Sequence, residues 1–186
     1  VQKVNRKILS TILLVSWLIP FKLFALPEMI IGEATIDPGV HLIFEGGIKD
    51  DVAPTTVFLA ENKTDVHIEM LANWSENAPK GSVPGGHVAY LKVSVLVKNE
   101  ITNTSATVIL APHINLSDGL HYAQNIRLPG KIDDKYSLKF IIEPPKNGSL
   151  GMHYDWRQQV GKALSPGGSF TFDDLNFSKI ANAARR

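Results

Sequence analysis

Tyr90-Leu91-Lys92-Val93-Ser94-Val95-Leu96-Val97-Lys98-Asn99 is the stretch that decides the fold class. Leu91, Val93, Val95 and Val97 alternate with other residues at a period of two, which places all four on one face of a β-strand. The chain then turns at Thr102-Asn103-Thr104, and Ala106 to Ala111 is positioned to pair back. Working outward, Val40 to Phe44 reads as a short apolar strand ended by Gly46-Gly47. Thr56 to Ala60 and Asp65 to Ala72 read as neighbouring strands joined by a hairpin turn at Glu61-Asn62-Lys63-Thr64. Tyr136 to Glu143 is a further strand, stopped by Pro144-Pro145, and Ser169 to Leu175 is the last. Ala78 to Gly86 is rich in breakers and reads as a loop. No long segment carries helical periodicity. About seven short strands at these intervals predict an all-β fold, an immunoglobulin-like antiparallel β-sandwich spanning residues 26–186 as one domain.

Residues 1–25 read as a secretory signal peptide. Lys3, Arg6 and Lys7 give a basic start, Ile8 to Pro20 is an apolar run too short for a comfortable membrane span, and Leu23-Phe24-Ala25 suits a cleavage site. The rival reading is an uncleaved anchor. The 186-residue chain has 19 basic and 18 acidic residues. Removal of Lys3, Arg6, Lys7 and Lys22 with the signal leaves 15 basic residues against 18 acidic, a net charge near −3. Such a balance supplies no electrostatic reason to bind nucleic acid. There is no cysteine, which excludes zinc knuckles, iron–sulfur clusters and the blue-copper ligand set. A chain of this length can bury a sufficient core without disulfides.

The chemistry-bearing residues are histidines in separate segments. His67 and Glu69, in Asp65-Val66-His67-Ile68-Glu69, project from one strand face while Val66, Ile68 and Met70 project from the other. The apolar set should face the core, and the polar pair should face outward or into a cleft. His113 and His121 flank a compact loop, with Pro112 ending the preceding strand and Ser117-Asp118-Gly119 supplying the turn. Asp118 can serve that turn or orient a ligating imidazole. His153 follows Met152 after a glycine-rich approach. His41 reads as a core or edge histidine and His87 as a loop residue. Imidazoles plus a carboxylate, with no thiolate, form a ligand set for copper(II), zinc or iron(II). Taken alone, each segment also has a bland reading as a solvated strand face or surface loop. No Gly-x-Ser-x-Gly elbow, phosphate loop, dinucleotide fingerprint or His-Glu-x-x-His helix is present.

Taken together, His67-Ile68-Glu69, Ser117-Asp118-Gly119-Leu120-His121-Tyr122, Ile142-Glu143-Pro144-Pro145 and Gly151-Met152-His153 resemble, in order and spacing, the periplasmic iron-transport proteins of Gram-negative bacteria. These are soluble partners of a permease-based, high-affinity ferrous iron uptake system, and the resemblance runs from about Ile30 to Phe177. It implies an immunoglobulin-like homodimer with a copper site near the subunit contact, iron(II) as the transported ion, and a membrane permease as partner. Carried over, His67, Glu69, His121 and His153 match the family's ligands. The chain departs from the family where His113 stands in place of a methionine, in a loop one residue longer. A histidine there hardens the site toward copper(II). The site expected is therefore His67, Glu69, His113, His121 and His153, with Asp118 beside it. Its affinity should weaken as pH falls through about 6, near the free imidazole pKa. Two other functions compete: a copper-dependent ferroxidase, and an immunoglobulin-like adhesion or chaperone module with incidental histidines.

Overall fold

In the computed structural model, which describes residues 27–183, hydrogen bonding joins eight antiparallel strands into one sheet of order β1-β2-β3-β6-β5-β4-β7-β8. The strands are β1 (Glu28–Ile36), β2 (Val40–Gly47), β3 (Val66–Trp74), β4 (Lys92–Asn99), β5 (Ser105–Asn115), β6 (Gly119–Ile126), β7 (Tyr136–Glu143) and β8 (Gly168–Leu175). The expected signal peptide lies outside the described residues.

The sheet folds over on itself at β5. Ser105 to Leu110 pairs with β4, and Ala111 to Asn115 pairs with β6, so one strand serves both layers. β1 and β8 meet at the open seam, where Phe172 packs so closely on Gly32 that a side chain at that position would collide with its ring. The result is a nearly closed, sandwich-like sheet. A strand that passes from one layer to the other at a bend is a recognised way to make such a corner.

The core is the inward row of each strand. Leu42 and Phe44 from β2, Val66, Ile68 and Met70 from β3, Val93, Val95 and Val97 from β4, and Leu138 and Phe140 from β7 are all buried. Phe44 anchors the two layers, with ring centroids 4.6 Å from Phe140 and 5.1 Å from Phe172. The alternation read in residues 90–99 is thus realised, with Leu91 also buried.

Four local expectations are corrected. Thr56 to Ala60 is not a strand: the amides of Val57 and Phe58 both bond the Pro54 carbonyl, which coils the chain into a turn, and Val57 is exposed. Glu61–Lys63 is a short 3₁₀ turn rather than a hairpin connection. Gly46-Gly47 does not stop the strand at Phe44: both glycines are its last paired residues, opposite Ile68 and His67. Pro112 does not end β5. It sits opposite Tyr122, and the strand runs on to Asn115. β1 and β6 are strands that the sequence reading left unassigned. Two short helices, α1 (Tyr154–Gln159) and α2 (Ser178–Ala181), complete the fold.

Candidate metal centre

The outward face of the β2-β3-β6-β5 layer carries polar residues at positions where a solvated sheet would be bland. In β3, His67 pairs with Gly47 of β2 and Asn125 of β6, and Glu69 pairs with Glu45 of β2 and Ala123 of β6. One rung further, His121 of β6 stands opposite His113 of β5. Small residues at Gly47, Ala111 and Ala123 leave room above the sheet. A Cβ built on Gly47 would come within 2.6 Å of Glu69 Oε1, so the carboxylate occupies space that only glycine provides. Above this face lies a cavity of about 280 Å³, lined among others by His67, Glu69, His113, His121, Asp118 and Phe58.

Of the two positions expected for the polar pair, outward or into a cleft, the structure shows the cleft. His67, Glu69, His113 and His121 are all at least nine-tenths buried. The ligand atoms of His67, Glu69 and His121 all lie within 4.8 Å of one another. His121 Nε2 is 3.5 Å from Glu69 Oε2, and His67 Nε2 is 3.9 Å from Glu69 Oε1. Metal–ligand bonds of about 2.0–2.2 Å bring neighbouring donors to within roughly 4 Å of each other, and these separations match. The His113 ring lies 5.3 Å from the His67 ring and 5.9 Å from the His121 ring, centroid to centroid.

Hydrogen bonding assigns the protons. His113 Nδ1 donates to the Ala111 carbonyl at 2.9 Å and His121 Nδ1 to the Gly119 carbonyl at 3.1 Å. His67 Nδ1 donates to Asn125 Oδ1 at 2.8 Å. With Nδ1 carrying the proton in each ring, all three Nε2 lone pairs remain for a cation. His113 Nε2 is buried with no hydrogen-bond partner among the described residues, which is the condition of a ligand atom awaiting its ion. The donor set of three imidazoles and one carboxylate fits a divalent transition metal.

Electrostatics point the same way. Burial lowers the His67 pKa to about 4, with the neighbouring imidazoles adding to it, and burial also lowers that of His113. Burial raises Glu69 to about 8, assisted by Asp118 and Glu45, and raises Glu45 to about 7. At neutral pH the metal-free centre sets a neutral His67 beside a largely protonated Glu69. The expected weakening through about pH 6 therefore does not come from His67, which is already proton-free there, and the proton on Glu69 is a further competitor with a cation.

The other sequence candidates fall elsewhere. His153 precedes α1, is exposed, and is not among the residues lining the cavity. Met152 lines a separate shallow groove with Pro144 and Pro145. Asp118 lines the cavity, but its carboxylate accepts from Asn115 Nδ2 and Ser117 Oγ, so it builds the hairpin turn instead of orienting an imidazole. The residue that does orient one is Asn125, which sequence reasoning passed over, as it did Glu45 and Phe58. A period-two count from His121 would have placed Asn125 on the histidine face, had β6 been read as a strand. His87 packs against the Tyr122 ring and His41 pairs with Glu33 at the surface.

A profile of the family described as Fe2+ transport protein matches residues 25–178. The chain belongs to the Fe2+ transport protein family. Among solved structures it is similar to a copper-bound variant of Campylobacter jejuni P19, with TM-score 0.68 and 25% identity over 80% of this chain and 96% of that one. A second copper-bound P19 variant gives TM-score 0.69 and 25% identity, covering 79% and 95% of the respective chains. FetP of uropathogenic E. coli, expressed recombinantly in the periplasm, gives TM-score 0.67 and 25% identity, covering 80% and 95%. No curated protein matches the chain. Within the Fe2+ transport family, then, this member presents a buried His67–Glu69–His121 cluster with a further histidine, His113, facing it.

Proposed function

We propose that this protein is a periplasmic metal carrier of ferrous iron uptake, which binds copper(II) in the buried centre, carries iron(II), and delivers it to a membrane permease. The observation that carries this reading is the common arrangement of His67, His113 and His121. Each has Nδ1–H on an oxygen acceptor; Nε2 of His67 and of His121 lies beside the buried Glu69 carboxylate, and Nε2 of His113 is buried without a hydrogen-bond partner among the described residues. A bound divalent ion would supply a fixed positive charge at Glu69. His67, Glu69, His113 and His121 would hold it, and Gly47 keeps the carboxylate's space clear. The basic and then apolar residues 1–25 support export as a reading of the sequence, and membership of the Fe2+ transport family supports the cargo.

We further propose that the working form is a homodimer in which His153 reaches the centre of a second copy. His153 is exposed and lies outside its own cavity. Ile114, Leu116 and Leu120 stand exposed on the β5–β6 hairpin beside the cavity mouth, an apolar patch suited to a partner surface.

Calorimetric titration of the metal-free protein with copper(II) tests the reading. One tight site per chain, weakened strongly in His121→Ala and unchanged in His41→Ala, is expected. Absence of stoichiometric binding would leave the adhesion-module reading in its place. Oxygen consumption on adding iron(II) to copper-loaded protein would identify a ferroxidase instead.

A further inference from the structure

Asn125 is the direct neighbour of His67 across the β3–β6 ladder and is buried. Its side chain uses both ends. Nδ2 donates to the carbonyls of Asp50 at 2.7 Å and Leu59 at 2.8 Å. Carbonyls only accept, so these two bonds fix which way the amide points. Oδ1 must then face His67 Nδ1, and because Oδ1 only accepts, the imidazole proton must sit on Nδ1. One amide therefore decides that Nε2 of His67 is the metal-facing atom.

The two carbonyls belong to a segment with its own relation to the cavity. Residues 48–60 join no strand ladder among the described residues. Asp50, Asp51, Val52, Ala53 and Phe58 line the cavity, and Phe58 lies edge-on to the His113 ring at 4.7 Å. Asn125 grips this segment at two points nine residues apart. Nothing in metal ligation requires the amide that orients His67 to be the one that ties down the wall.

We propose that Asn125 is a positioning residue that couples the two: it presents His67 Nε2 to the cavity and holds the 48–60 segment closed over it. The proposal rests on the metal-binding reading for its purpose, but its structural content is measurable without metal. Loss of the donor end removes two hydrogen bonds to half-buried carbonyls of the segment and loosens it. Loss of the acceptor end releases the imidazole to the tautomer whose Nε2 carries the proton and cannot ligate.

The two ends are separable. Asn125→Asp keeps an acceptor for His67 and lacks the amide donors; Asn125→Leu removes both. In metal-free protein, nitrogen NMR should find His67 in the Nδ1–H form in the wild type and in Asn125→Asp, and mixed in Asn125→Leu. Amide exchange across residues 48–60 should accelerate by about tenfold or more in both variants. Copper(II) affinity should fall roughly 10- to 100-fold in Asn125→Leu and less in Asn125→Asp. Wild-type exchange rates in both variants, or an unchanged His67 tautomer in Asn125→Leu, would overturn the coupling. If Asn125→Leu does not fold, Asn125→Asp decides alone: faster exchange with the tautomer retained supports the proposal, and unchanged exchange overturns it. A wild type that binds no copper while the tautomer and exchange results hold would overturn the functional reading and leave the coupling standing.

Discussion

His113 and His121 stand directly opposite each other across the β5–β6 ladder, their rings 5.9 Å apart, although a seven-residue hairpin connects them. Both Nδ1 atoms donate to the carbonyl two residues earlier in their own strand. The hairpin thus brings two imidazoles to the same cavity, and His113 lines it from within a strand rather than from a loop.

That placement makes His113→Met informative. A thioether for an imidazole softens the donor set and favours copper(I) over copper(II). The ratio of copper(I) to copper(II) affinity, measured with competing chelators, should rise, and the copper reduction potential should rise with it. The fold should be unchanged, since methionine fits the same volume class.

Gly47→Ala should injure the centre without touching an imidazole. The added methyl group falls where Glu69 Oε1 now sits, so the carboxylate must swing away from His67 and His121. Copper(II) affinity should drop by about tenfold or more, on the scale of losing an outer-sphere support. The far-ultraviolet spectrum should keep its β signature.

Metal-free stability should decline as pH rises from about 6.5 to about 8. Folded Glu69 and Glu45 hold protons up to about 8 and 7, while the unfolded chain releases them near 4.5. Across that range the folded state binds more protons, and stability falls with pH. His67 acts in the opposite sense. Its folded pKa of about 4 lies below the ordinary 6.5, so its contribution is complete above 6.5 and lost as pH falls toward 4. The two effects oppose each other at lower pH, and only the carboxyl effect remains above 6.5. Thermal melts of apo protein should show this decline. Saturation with copper(II) should offset it, because a cation takes the place of the Glu69 proton and binds only the folded state.

His121→Ala should lower copper(II) affinity by more than the roughly 10–100-fold typical of removing an outer partner, since on the proposed reading it deletes a direct ligand. His41→Ala, which removes only a surface pair with Glu33, should leave affinity intact. Equal affinities for both variants would exclude the centre.

The dimer has its own test. Sedimentation at roughly tens of micromolar, where even weak association registers, should report a dimer. Leu116→Glu, at a fully exposed hairpin position, should shift it toward monomer. It should also weaken copper binding to the level of His153→Ala, because on the proposed dimer both changes remove the His153 imidazole from the partner's centre.

Much of this protein was legible one residue at a time. The alternation of Leu91 to Val97 and of Val66 to Met70 needs only the period of a strand, so the all-β class and the inward rows followed from the sequence itself. The same period placed His67 and Glu69 on one face, and histidines without cysteine defined the class of metal. The sequence alone did not determine β1, whose alternation slips at the bulge between Ile30 and Gly32, or β6, most of whose positions are buried because one face borders the core and the other borders the cavity. Nor did it determine that the face opposite the core was itself buried. Cross-strand pairing decided that, by setting Gly47, Asn125, Glu45 and Ala123 beside the ligands. It also separated His153 from the four residues that do converge. Register between distant strands is a property of the whole sheet, closed only when the 48–60 segment and the β5–β6 hairpin are in place, and no local pattern encodes it.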